Sequence, residues 1–348
     1  MTAKHYKQWH LTSQTGISSL VALETKIPTN LTGHEVLVKI HAASLNYRDV
    51  AIAKGTRNLV ITPHVVPGSD GAGTILSTGP SVTCFTPGDT VLMHMLPHFP
   101  ASAFPTMAEV CGGLGQQVDG TMREYGVFDE SALVRMPANL TFEEAATLGC
   151  SGLTAWNALF GGGRTVAEGD VVLTQGTGGV SIAALQFAHA AGATIISTTS
   201  SAAKAARLSA LGAAHTINYN TTPNWGEVAK SLTPSSIGVT NVIDVGGLST
   251  LSESLKAVRV EGIVTATGVL GSKAKEPSSL LDTVWRVCSV RGIVLGSKRQ
   301  IEDMVKFIEE KDLRPVVDER IFKIEEVQDA YRWIDEQRHF SKVVIKIA

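Results

Sequence analysis

One stretch of this chain concentrates residue types that could do chemistry. In Val171-Val172-Leu173-Thr174-Gln175-Gly176-Thr177-Gly178-Gly179-Val180-Ser181 a glycine cluster joins an apolar run to an Ala/Leu-rich one. Gly176 can make a tight turn, and Gly178 lets the backbone approach a pyrophosphate. The helix that follows offers unpaired N–H groups and the positive end of its dipole. The spacing predicts a dinucleotide site on Gly176, Thr177, Gly178, Gly179 and Val180, with Ser181 where a third glycine is usual.

The kind of dinucleotide is read at the end of the next strand. A site for NAD usually carries Asp or Glu there to accept hydrogen bonds from the ribose 2′-hydroxyl. Here Ile195-Ile196-Ser197-Thr198-Thr199-Ser200-Ser201 holds no acid, and Lys204 follows. Ser200 and the Lys204 cation suit the 2′-phosphate of NADPH, which a carboxylate would repel. Arg207 reads as a solvated charge on the helix face. Tyr219, after the third strand, either flanks the adenosine phosphate or packs at the core edge.

The surrounding elements must hold that turn in place. The first 135 or so residues give short β-rich pieces: Glu35 to His41, Asp70 to Thr78 and Asp89 to Met93. Residues 97–120, rich in proline and glycine, read as a long loop, either over a cleft or as a simple connector. Thr141-x-x-Glu144 is a capping box ahead of one helix running to about Phe160, and Thr250-x-x-Glu253 fits a second box. Between them apolar strands alternate with helices, which predicts a parallel sheet covered on both faces. Lys342 to Ile347 alternates again and is expected to rejoin the first sheet.

Composition narrows the partners. Lys plus Arg total 30 against 32 Asp plus Glu, so no field exists to gather a nucleic acid. No run reaches the ~18 apolar residues a membrane span needs. Cys84, Cys111, Cys150 and Cys288 include no Cys-x-x-Cys pair, which argues against a disulfide framework and a thiolate zinc cluster. No secretory leader is read at the N-terminus, so the expectation is a cytoplasmic protein acting on a small molecule.

Several motifs then occur in a familiar order: Ser44 to Asp49, Pro67 to Gly73, Pro87-Gly88-Asp89, Gly120 to Tyr125, Gly149 to Trp156 and the glycine turn. Over essentially its whole length the chain resembles the medium-chain dehydrogenase/reductase superfamily, particularly its zinc-free quinone oxidoreductase-like branch. The resemblance implies an α/β protein: a GroES-like β domain (residues 1–135 and 313–348) interrupted by a doubly wound Rossmann domain (residues 136–312). It also implies a cofactor cleft between the domains and a homodimer joined through the last sheet strand, Ser289 to Gly296. Zinc enzymes of the superfamily carry Cys at the position aligned with Asn46, His-Glu at Ser69-Asp70 and a Cys near Cys150. They also have a four-cysteine lobe, where this chain has only Cys111. No metal ligand set is expected, and Cys150 is expected to be unligated.

Without a Lewis acid, hydride addition to a quinone or an α,β-unsaturated carbonyl is easier than alcohol oxidation, because the charge spreads onto an oxygen that hydrogen bonds can stabilise. The expected activity is therefore NADPH-dependent reduction of such a substrate. A metal-free alcohol dehydrogenase or ketone reductase, and a non-catalytic NADPH-binding sensor, are the alternatives. The resemblance puts the Asn46 amide beside the substrate. Tyr47 is either a proton donor or a packing residue at a helix start, and Arg48 and Asp49 form an ion pair or cap. Thr154 is expected at the nicotinamide, Val269, Leu270, Leu295 and Ser297 at the ends of strands five and six, and Lys342 reaching the cofactor from the C-terminal segment. Mitochondrial enoyl-thioester reductases carry a tyrosine two residues past the glycine aligned with Gly55. Arg57 stands there in this chain, so a thioester mechanism is not expected.

Overall fold

The computed structural model describes residues 5–56, 59–268 and 278–348, so Arg57, Val269 and Leu270 lie outside the described residues. The early strands are β1 (His5–Leu11), β2 (Leu20–Lys26), β3 (Glu35–Leu45), β4 (Asp70–Thr78), β5 (Thr90–Met93), β6 (Tyr125–Asp129) and β7 (Leu133–Arg135). Next come β8 (Val171–Gln175), β9 (Thr194–Thr199), β10 (Ala213–Asn218), β11 (Val239–Asp244), β12 (Val258–Ala266) and β13 (Ser289–Gly292). The chain ends with β14 (Phe322–Lys323) and β15 (Val343–Lys346).

These form two compact units: residues up to Leu153 together with Ser297–Ala348, and Thr154–Gly296. The second unit is therefore shorter at both ends than the 136–312 span expected from sequence. Local packing explains the difference at its C-terminal end. The helix Lys298–Glu310 is tied to the first unit, where Glu309 accepts from the Ala138 N–H and Lys298 Nζ donates to the Ser131 carbonyl.

In the first unit β3 is the organising strand. Its N-terminal half pairs with β6, its C-terminal half with β15, and its other edge with β4, all antiparallel. The registers set Ser44 opposite Asp70 and Leu45 opposite Val343. The end of β3, the start of β4 and the residue before β15 thus meet at one place. Alternation in β3 buries Val36, Val38, Ile40 and Ala42, which secures this register because a one-residue slip would turn that face outward.

The helix expected from Thr141 to Phe160 is broken. The Thr141/Glu144 capping box is formed, but the helix stops at Ala145, a π-helical turn covers Leu148–Gly152, and a second helix runs Leu153–Phe160. Close approach explains the interruption. A Cβ on Gly149 would lie 2.5 Å from the Met93 carbonyl oxygen and 3.0 Å from Asp70 Oδ1. Single π turns inside helices are frequent at functional sites.

The second unit is a six-stranded parallel sheet in the order β10-β9-β8-β11-β12-β13, the doubly wound arrangement. β8 is buried throughout, as a central parallel strand covered on both faces should be. Leu173, Ile196, Val242 and Val264 form its core with Trp225 and Leu255. The second capping box does not form: Thr250 Oγ1 donates to Asp244 Oδ1 instead, and Glu253 accepts from the Gly226 N–H. Among the described residues no helix is long and apolar enough to cross a membrane.

Candidate active site

In the first unit five buried polar side chains converge. Asn46 follows β3, Asp70 opens β4, Lys342 precedes β15, Ser44 lies within β3, and Ser151 rides on the π turn. Lys342 Nζ donates to the Leu45 carbonyl at 2.9 Å, Asn46 Oδ1 at 2.5 Å and Asp70 Oδ2 at 3.0 Å. Ser151 Oγ donates to Asn46 Oδ1 at 2.9 Å, and Asn46 Nδ2 donates to Asp70 Oδ2 at 3.0 Å. Ser44 Oγ lies 3.3 Å from the same carboxylate oxygen. The Lys342–Asp70 ion pair is 4% and 0% exposed, so each charge depends on its partner.

Asp49 lies in the first turn of the next helix, Tyr47–Ala53, and is also buried. Its Oδ2 accepts from the Asn46 N–H at 2.7 Å, and Arg48 lies 4.0 Å from Oδ1, the ion pair and cap expected from sequence. Burial pushes this carboxyl up to about 6, with the Arg48 cation working against the shift. Burial likewise pushes the Cys150 thiol up to about 12, and the nearby Asp70 carboxylate adds to the effect. Cys150 therefore stays a thiol at neutral pH. Tyr47, at the first position of the helix, is 47% exposed.

In the second unit the turn after β8 is made of backbone. Gly176 adopts φ +72°, a left-handed conformation that suits glycine, and a Cβ on Gly176 or Gly178 would meet no atom within 4 Å. Gly178 is the N-cap of the helix Gly179–Ala190, and no side chain caps it. The first N–H groups of this helix are left for an external acceptor, the arrangement that receives a phosphate. Ser181, in place of the third glycine, is buried and donates to the Gln175 carbonyl at 2.6 Å. Gln175 is held in turn by Ser254 and the Val245 N–H, with Ser254 bonded to Asp244. This open cradle fits a dinucleotide pyrophosphate.

Beside the cradle, Ser200 follows β9, Ser201 caps the helix Ala202–Ala210 by accepting from the Lys204 N–H, and the Tyr219 N–H bonds to the Thr199 carbonyl. Ser200, Lys204 and Tyr219 thus share one end of the sheet, and Tyr219 is exposed. Thr154 is buried in the first turn of Leu153–Phe160, and the Leu295 carbonyl accepts from Asn157 Nδ2. The Ser297 hydroxyl caps Lys298–Glu310, and Lys342 spends its three N–H donors on the buried cluster.

Sequence reasoning missed the Lys342–Asp70 pair and Ser151. The available clue was a lysine heading the apolar alternation of 342–347, which only strand pairing turns inward.

Family models for the alcohol dehydrogenase GroES-like domain and for zinc-binding dehydrogenase match residues 32–138 and 179–310. A zinc-type alcohol dehydrogenase-like protein of Schizosaccharomyces pombe is 43% identical over 95% of this chain and 96% of its own length. The chain belongs to the medium-chain dehydrogenase/reductase superfamily. It is an oxidoreductase of that superfamily. The crystal structure of an NAD-dependent alcohol dehydrogenase superposes with a TM-score of 0.84 at 31% identity, covering 98% of this chain and 100% of the other. The quinone oxidoreductase of Mus musculus is 27% identical over 77% of this chain and 74% of its own.

Two of these descriptions speak of zinc, so the donor set matters. Asn46 and Asp70 already hold an ammonium group, and no three His, Cys, Asp or Glu side chains gather among the described residues. Zinc in this superfamily needs thiolate, imidazole or carboxylate ligands open to it, and these residues do not fit that need.

Proposed function

We propose that this chain is a zinc-independent, NADPH-dependent oxidoreductase that delivers hydride to a quinone or an α,β-unsaturated carbonyl. The observation that carries this reading is the Lys342 ammonium bound to Asn46 and Asp70, which puts a protein cation among the side chains that a metal would need. Bound NADPH supplies the hydride. The chain's own residues do the rest. Gly176 to Gly179 receive the pyrophosphate, while Ser200 and Lys204, with no acid at the end of β9, receive the 2′-phosphate. The Asn46 amide stabilises the oxygen on which charge collects, and the exposed Tyr47 phenol or water returns a proton.

A homodimer is part of the same proposal. β13 is the edge of its sheet, paired only with β12 among the described residues, and Val290 on it and Trp285 just before it are exposed.

The test is NADPH oxidation against a panel of quinones and enones, before and after dialysis against a chelator, with metal content measured. Turnover with NADPH that survives chelation is expected. Turnover that requires about one zinc per chain, or no turnover across the panel, overturns the reading. The relatives described as alcohol dehydrogenases favour one second reading, a ketone reductase, which steady alcohol oxidation with NADP+ and no quinone activity would support.

A further inference from the structure

We infer that Lys342 is a positioning residue that orients and polarises the Asn46 carboxamide, so that one amide N–H is aimed as a donor to an oxyanion. This rests on the metal-free reading above. The orientation of the amide is chemically fixed. Asn46 Oδ1 accepts from Lys342 Nζ and Ser151 Oγ, and reversing the group would set its NH2 against an ammonium. Of the two Nδ2 hydrogens, one goes to Asp70 Oδ2, and the other has no acceptor among the described residues. Asn46 keeps 8% exposure, so the cluster does not wholly enclose it.

Lys342 acts on that hydrogen in two ways. Its charge draws electron density toward Oδ1, which strengthens the amide N–H as a donor because hydrogen bonds in series polarise one another. It also offsets the Asp70 carboxylate, which alone would repel an anion forming near Asn46. Ser151 supplies the second donor to Oδ1 and holds the plane of the amide. The function of a metal cation is thereby divided. The ammonium provides charge, and the amide provides the contact.

A purely structural role, as counter-ion to Asp70, makes a different prediction. The test pairs Lys342→Met with Asp70→Asn, which removes both charges together and avoids a stranded buried ion. Two readouts are taken on the full chain: steady-state kinetics with the acceptor found above, and binding of 4-nitrophenolate as an oxyanion probe followed by its absorption shift. The paired variant is expected to lose kcat about a hundredfold and phenolate affinity about tenfold, while its dissociation constant for NADPH is unchanged. Ser151→Ala, which leaves the ion pair intact, is expected to lose about threefold in kcat.

A folded paired variant with wild-type kcat and phenolate binding overturns the inference, as does a wild-type protein that binds no phenolate. Should the paired variant fail to fold, Ser151→Ala decides through the same two readouts, and wild-type values overturn the inference. A zinc requirement overturns the metal-free reading instead, and metal analysis separates that outcome from these.

Discussion

The two polar centres of this protein are built on opposite principles. The cluster around Lys342 consists mainly of side chains, closed and satisfied largely from within although Asp70 Oδ1 has no partner, and it holds its charges inside the fold. The turn at Gly176 to Gly179 consists of backbone, open where a Cβ on Gly176 or Gly178 would stand, with the first N–H groups of its helix uncapped by any side chain. A closed cluster ties stability to every member, since removing one strands another. An open turn leaves stability nearly indifferent and places the whole effect of a substitution on binding. The contrast separates residues that shape a site by holding each other from residues that shape it by staying out of the way.

The largest effect should come from breaking the closed cluster on one side. Lys342→Met alone leaves Asp70 charged and buried, and about 3–5 kcal/mol of unfolding free energy should be lost, measured by chemical denaturation. Adding Asp70→Asn should recover most of it. Equal loss in the single and paired variants would show that the charges are not coupled as the geometry implies.

The mirror-image experiment is Gly178→Ala. Gly178 has φ −79° and free space around its missing Cβ, so the melting temperature should stay within about 2 °C of wild type. Binding of either dinucleotide should weaken tenfold or more, because the methyl group enters the phosphate's space; calorimetric titration with NADPH and NADH reads this. A destabilised protein that still binds normally would reverse the comparison.

A further effect should be graded by pH. Asp49 titrates at about 6 in the folded chain against an ordinary value of 3.8. The raised value means that stability is unpenalised below about 3.8, falls as pH rises through about 6, and is level above. From that shift the fall is about 3 kcal/mol. Asp49→Asn should flatten this part of the stability–pH curve, as read by denaturation at pH 4 to 8.

Smallest is the cofactor preference. Lys204→Ala should weaken NADPH about tenfold, or about 1.4 kcal/mol, and leave NADH nearly unchanged. Equal weakening of both would remove the 2′-phosphate assignment.

Much of the fold was legible because it depends on local pattern. The β8–turn–helix unit needs an apolar run, a glycine able to take positive φ and a helix start, all adjacent in sequence, and the strand spans Asp70–Thr78 and Val171–Gln175 follow from patterning in the same way. Less was legible where two local motifs competed with distant partners. The Thr250/Glu253 box is lost to Asp244 and to the Gly226 N–H, and the helix after Thr141 is broken because Gly149 must press against Met93 and Asp70.

The sequence by itself determined an α/β chain with a glycine turn between an apolar strand and a helix, and without a Cys-x-x-Cys pair. Only the tertiary structure decided what stands among the residues aligned with metal ligands. Lys342 lies 296 residues from Asn46 and 272 from Asp70 along the chain, and no local pattern relates them. The antiparallel pairing of β3 with both β15 and β4 brings the three together. Buried together, the ammonium, the amide and the carboxylate bind one another, with the Leu45 carbonyl and Ser151 completing the set.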